Sequence, residues 1–231
     1  MGDTPLNSRE HPADERLVSI PAGGQVLEGT LGIPTGASGL VLFAHGSGSS
    51  RHSPRNRHVA LVLRAAGIAT LLTDLLTAQE EAVDERTREL RFDISLLAIR
   101  LVQITDWVRQ HSPARHLRIG YFGASTGAAA ALVAAVQRPE AVKAIVSRGG
   151  RPDLAGPVLP RVRAPTLLIV GGYDVGVIEL NQQTLEQLQT EKELAIVPGA
   201  THLFEEPGAL EQVARLATEW FRKYLGPADE A

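Results

Sequence analysis

The chain has 231 residues, 44% of them hydrophobic and 21% charged, with a formal net charge of -3. That balance fits one globular α/β domain and offers no basic surplus for nucleic acid or an anionic membrane. The absence of cysteine excludes a disulfide framework, a thiolate nucleophile and a Cys-ligated metal.

Residues 1–15 are polar and read as a loose arm without the apolar core of a signal peptide. No apolar run approaches the roughly 18 residues of a membrane span, so a cytoplasmic protein is expected. From Arg16 on, strand-like and helix-like segments alternate. "RLVSI" and "VLEGTLGI" read as an antiparallel opening pair around the turn "PAGG". "LVLFAHG" is a short, wholly apolar strand of the kind buried on both faces of a parallel sheet. A helix then starts at Ser53-Pro54, serine suiting the N-cap and proline the first helical position.

"GIATLLTD" is the next buried strand, and "AQEEAVDERTREL" a solvated loop or short exposed helix. Between Phe92 and Val108 the apolar residues Ile94, Leu97, Ala98, Leu101, Ile104 and Val108 share one helical face. "LRIGYFG", "VKAIVSRGG", "PTLLIVGG" and "KELAIVPG" are further strands. The helices "STGAAAALVAAVQR", "VIELNQQTLEQLQ" and "LEQVARLATEWFRKYL" complete the pattern. Eight strands with intervening helices predict one mostly parallel, doubly wound α/β sheet without a cap domain. The domain spans 16–225, and residues 226–231 form a short tail.

"VLFAHGSGSS" raises the first functional question, because a strand ending in a Gly-rich turn can hold a dinucleotide phosphate or an oxyanion. Gly46 and Gly48, a following helix and Asp74 at the end of the next strand imitate the dinucleotide fingerprint. Arg51, however, occupies the third glycine position, and a helix that begins near Pro54 starts too late to meet a pyrophosphate at Gly46–Gly48. No Walker lysine is present. The loop alone leaves the matter open.

"GYFGASTG" decides it. Gly123-Ala-Ser125-Thr-Gly127 is a G-x-S-x-G pentapeptide between an apolar strand and a helix, the context of a nucleophile elbow. The serine must sit in a strained turn, and side chains two residues to either side would collide there; glycine at 123 and 127 removes the collision. Asp174 then lies just beyond "LLIVGG", and His202 just beyond "AIVPGAT". Ser, Asp and His each fall at the C-terminal end of a strand, in the chain order of the α/β-hydrolase triad.

On "HGSGSS", "GASTG", "SRGGRPDL", "GGYD" and "GATHLF", the segment from about Arg16 to Leu225 resembles the cap-less α/β-hydrolases of the dienelactone-hydrolase-like group. It is particularly similar to bacterial members found beside, or fused to, phosphoribosyltransferase-type domains. The resemblance implies a serine hydrolase acting on small carboxylic esters or lactones through an acyl-enzyme. Ser125 would be the nucleophile, His202 the base and Asp174 its orienter. The backbone N–H groups of Thr126 and Ser47 would form the oxyanion hole, with Gly46 and Gly48 shaping the loop and His45 ordering it through a ring hydrogen bond. No cofactor or metal is called for. The group's usual nucleophile is Cys, and Ser125 departs from it, which weakens transfer of that group's particular substrate.

The cation content is nearly all arginine. Arg148, Arg151 and Arg51, with Arg55 and Arg57 nearby, fall on the sheet edge where ligands of such folds bind, which suggests an anionic ester. Surface ion pairing is the competing fate of these side chains. Because only "RPDLAGPVLPRVRA" stands where relatives insert a lid, an open site, or one closed by a second subunit of a homo-oligomer, is expected. A binding or accessory module with little turnover, and an acyltransferase or perhydrolase using the same triad, remain as alternatives. The partner in every enzymatic case is a small-molecule ester, with no nucleic acid and no membrane.

Overall fold

In the computed structural model, which describes residues 15–226, eight strands form one sheet in the order β1-β2-β4-β3-β5-β6-β7-β8. Strands β1 (Glu15–Ala22) and β2 (Gln25–Gly32) open it as a hairpin around Gly23-Gly24, and β2 pairs antiparallel with β4 (Ala69–Thr73). Every later neighbour is parallel: β3 (Leu40–Ala44), β5 (Ile119–Ala124), β6 (Val142–Arg148), β7 (Thr166–Gly171) and β8 (Lys192–Val197). The expected strands are therefore all present. Of the expected terminal arm and tail, residues 1–14 and 227–231 lie outside the described residues.

Alternation along the central strands builds two apolar layers. Leu40, Leu42, Ile119, Tyr121 and Ile145 face one side; Val41, Phe43, Phe122, Ala144 and Val146 face the other. Helices α1 (Pro54–Ala65) and α6 (Ala209–Leu225) cover the second layer, and α3 (Ile94–His111) and α4 (Thr126–Gln137) the first. The rings of Phe43 and Phe122 meet with centroids 4.9 Å apart; burying each is worth about 2–3 kcal/mol before entropy is subtracted. In α4 the run Ala128–Ala131 is fully buried, and its small side chains let the helix lie close to both sheet and α3. A helix buried all round carries no polar face, so its amphipathic signal is weak in the sequence.

Ser53 caps α1 by accepting a hydrogen bond from Asn56 N–H at 3.3 Å, with Pro54 at the first helical position. The charged segment left between loop and helix forms α2 (Ala78–Thr87). Its start is fixed by a capping box: Thr77 Oγ1 accepts from Glu80 N–H at 3.1 Å, and Glu80 Oε2 accepts from Thr77 N–H at 2.8 Å. Helix α5 (Val175–Gln187) follows β7. The proline-rich link between β6 and β7 winds into 3-10 turns over Pro152–Arg161, broken at Gly156 (φ 51°, ψ -127°). Among the described residues no helix is long and apolar enough to cross a membrane.

Candidate active site

Parallel strands aim their C-terminal ends at one edge, and the loops after β3, β5, β6, β7 and β8 meet there. Ser125, immediately after β5 and before α4, has φ 50° and ψ -121°, a left-handed backbone that costs a non-glycine residue about 1–3 kcal/mol. The flanking glycines make the turn sterically feasible. A Cβ on Gly123 would lie 2.5 Å from Ala128 Cα, and one on Gly127 would lie 2.2 Å from the carbonyl oxygen of Ala44 and 2.5 Å from that of His45. Backbone bonds hold the turn: Ser125 N–H donates to Arg148 O at 3.3 Å, and Arg151 N–H donates to Ser125 O at 3.0 Å.

Asp174 stands at the N-terminus of α5, a position where aspartate normally caps the helix. It makes no capping bond; instead its Oδ2 lies 2.6 Å from His202 Nδ1. The loops that carry these two residues are joined by Tyr173 N–H, which donates to Ala200 O at 2.9 Å. Gly171 lets them approach, since a Cβ there would fall 2.4 Å from Ala200 O and 2.6 Å from Thr201 O. With Nδ1 engaged, Nε2 is the ring nitrogen left for chemistry. Ser125 and His202 line one cavity of about 230 Å³, together with Gly46, Ser47, Arg55 and Arg148. The His202 side chain is 38% exposed, so the site is open to solvent.

The loop after β3 is clamped from beneath. His45 is buried; its Nδ1 lies 3.0 Å from Gly46 O, and its Nε2 accepts from Leu75 N–H at 3.0 Å. These partners fix the neutral tautomer with the proton on Nδ1, and burial holds the ring's pKa below its ordinary value despite the Gly46 carbonyl and the nearby Asp74. A Cβ on Gly46 would sit 3.0 Å from Ser125 Cβ, which shows how closely the loop presses on the elbow. Gly48 has φ 67°. Thr126 N–H, first in α4, has no intrahelical acceptor by its position. Ser47 N–H, expected to face the substrate directly, is instead donated to Thr126 Oγ1 at 3.0 Å.

The three arginines singled out in the sequence have different fates. Arg51 is committed to Asp74, through its backbone N–H at 2.7 Å and through its guanidinium, and so ties the loop after β3 to the residue that follows β4. Arg151 makes a two-pronged pair with Asp153 at 2.8 and 2.9 Å, so near the elbow its contribution is its backbone N–H.

Arg148 has no carboxylate partner among the described residues. It is 6% exposed, donates to Asn56 Oδ1 at 3.3 Å, lies 5.9 Å over the Phe204 ring and leaves Nε without an acceptor. Burial, with Arg55 nearby, pushes its pKa down to about 10, so it remains a cation at neutral pH. Arg55 reaches the same cavity and pairs with Glu205 at 3.1 Å in a solvent-exposed contact. Beyond the loop after β3 a second cavity of about 310 Å³ is lined by Glu81, Asp84 and Glu85 along with Arg91. Arg91 is bound to Asp84 at 2.5 Å. Cationic character therefore lies on the Ser125 side of the loop, and carboxylates on the other.

Asn56, Gly171 and Phe204 were missed in the sequence. Phe204 had a signal in its place two residues after His202; Gly171 had only the "GGYD" context.

A serine on a strained strand-to-helix turn, over this sheet order and beside a His–Asp pair, defines the α/β-hydrolase class. The dienelactone hydrolase family profile matches residues 27–225, and the chain belongs to that family. It is similar to a dienelactone hydrolase of Anabaena variabilis of known crystal structure, at 65% identity and a TM-score of 0.91 over 93% of this chain and 100% of that one. A lidless α/β serine hydrolase of Xanthomonas campestris shares the fold, with a TM-score of 0.74 and 21% identity over 94% of this chain and 98% of that one. A Mycobacterium tuberculosis protein named as a phosphoribosyl transferase is 56% identical over 217 residues, which are 94% of this chain and 48% of that protein. The chain thus spans about half the length of that relative.

Proposed function

We propose that this hydrolase cleaves small anionic carboxylic esters or lactones by nucleophilic catalysis at Ser125. The observation that carries the reading is the constellation itself: a serine at φ 50° sharing a cavity with a histidine whose Nδ1 is held 2.6 Å from Asp174. Ser125 Oγ attacks the ester carbonyl carbon while His202 Nε2 takes its proton. Asp174 holds the imidazole in the productive tautomer and stabilises the imidazolium. The tetrahedral oxyanion collects at the N-terminus of α4, where Thr126 N–H and the α4 dipole favour negative charge. His202 returns the proton to the leaving alkoxide. Water, activated by the same base, then releases the acyl group.

Arg148 supports the anionic part of the reading. A buried guanidinium without a carboxylate partner among the described residues, at the wall of the cavity shared by Ser125 and His202, is a place for a substrate carboxylate to complete a charge-assisted bond. The acidic cavity across the oxyanion loop would repel that carboxylate, which orients the substrate toward Arg148.

Phosphoribosyl transfer is not assigned to this chain, because the similarity covers less than half of the relative bearing that name and the gathered residues are those of acyl transfer. A panel of short-chain neutral and anionic esters tests the proposal. Turnover, strongest on the anionic members and abolished in Ser125→Ala, supports it; a Ser125→Ala enzyme with wild-type turnover overturns it.

A further inference from the structure

Three threonines inside helices spend their hydroxyl hydrogens on the carbonyl four residues back: Thr105 on Leu101 at 2.8 Å, Thr184 on Leu180 at 2.9 Å and Thr218 on Ala214 at 2.7 Å. Thr126 differs because it opens its helix. The residue four back, Phe122, belongs to β5 and offers no helical carbonyl. Thr126 Oγ1 instead accepts from Ser47 N–H at 3.0 Å, and its own hydrogen has no acceptor among the described residues. Thr126 is 3% exposed. Its hydroxyl is bound to one amide expected at the oxyanion hole, belongs to the residue that supplies the other, and directly follows the nucleophile.

We propose that the Thr126 hydroxyl is itself an oxyanion donor, with Ser47 acting through it. Ser47 N–H holds Oγ1, and Oγ1–H points at the developing oxyanion beside Thr126 N–H. This rests on the serine-hydrolase reading of Ser125. No proton changes hands in the relay. A hydroxyl that accepts one hydrogen bond donates a stronger one, because each bond in such a chain polarises the next. Ser47 is then a positioning residue, and Thr126 contributes through two donors. The clamped loop fits this role: the His45 bonds and the close Gly46–Ser125 approach keep the Ser47 amide aimed at Oγ1.

The test compares Thr126→Val, which keeps the shape and the backbone N–H but deletes the hydroxyl, with Thr126→Ser, which restores it; Thr126→Ala guards against a packing fault in the valine form. Steady-state ester hydrolysis is read together with inhibition by an arylboronic acid, which forms a tetrahedral adduct on an activated serine. The valine and alanine forms should lose about 100-fold in kcat, as for removal of one oxyanion donor, with KM within about twofold. Their boronate affinity should fall by a similar factor, and the serine form should recover most of both.

Valine or alanine variants as fast as wild type would mean that the hydroxyl merely blocks Ser47 N–H, which overturns the relay. A loss that serine does not rescue also overturns it. Failure of the underlying reading is separate and visible elsewhere, as undiminished turnover in Ser125→Ala.

Discussion

Replacing Arg148 by methionine should improve folding while damaging function, and the two effects can be sized separately. The guanidinium is buried, with one 3.3 Å hydrogen bond, to Asn56, among the described residues and a flank on Phe204. Burial pushes its pKa down to about 10, so the native state binds this proton less tightly than the unfolded chain. The charge therefore costs stability at every pH below about 10, by an amount on the order of 3 kcal/mol. Methionine fills similar volume without the charge. After the lost Asn56 bond, worth about 1–2 kcal/mol, a net gain of about 1–2 kcal/mol remains. That corresponds to a Tm rise of about 2–6 °C in a chain of this size.

Function moves the other way. A charge-assisted bond to a substrate carboxylate is worth about 1.5–3 kcal/mol, so kcat/KM on anionic esters should fall about 10- to 150-fold. Neutral esters of equal size should change less than about threefold. Differential scanning calorimetry and matched ester pairs read the two effects. A variant with a lowered Tm and equal losses on both esters would refute the reasoning, because it would assign Arg148 to packing alone.

Other perturbations follow from the same geometry. Asp174→Asn should keep the fold but lower kcat by about 10⁴-fold, since the amide no longer enforces the tautomer; a loss under tenfold in steady-state assays contradicts that role. Gly127→Ala forces a Cβ to within 2.2 Å of the Ala44 carbonyl oxygen, so chemical denaturation should report a loss of at least about 2 kcal/mol. Ser125→Gly should relieve the φ 50° strain and gain about 1 kcal/mol in the same experiment while abolishing turnover.

His45 gives a pH signature. Its folded pKa lies below the ordinary 6.5, so the unfolded chain takes up a proton that the native chain refuses. Stability should decline as pH falls below 6.5, with a limiting slope of about 1.4 kcal/mol per pH unit. His45→Gln should remove that component, and titrations of ΔG against pH that superimpose for both proteins would exclude it.

The sequence carried the scaffold and the candidate chemistry for local reasons. The buried strands are short and apolar, and Ser125, Asp174 and His202 each follow one of them, so topology alone brings them to one edge. The glycines at 123 and 127 were legible because the clash they avoid is local. Other features required three dimensions. Arg51, Arg148 and Arg151 look alike as text; the approach of Asp74 to Arg51 and the turn bringing Asp153 to Arg151 distinguish them from Arg148, which has no carboxylate partner among the described residues. The Ser47–Thr126 bond joins residues 79 apart in the chain, with nothing local to announce it. The start of α2 was readable as T-x-x-E, but its charged composition masked the capping box.

Intact-mass labelling with a fluorophosphonate tests the central claim most directly. The account predicts one phosphonyl adduct on the wild-type protein, mapped to Ser125, absent from Ser125→Ala and formed far more slowly in Asp174→Asn. A folded wild-type protein that takes no label, or a Ser125→Ala protein that labels as readily, would contradict it.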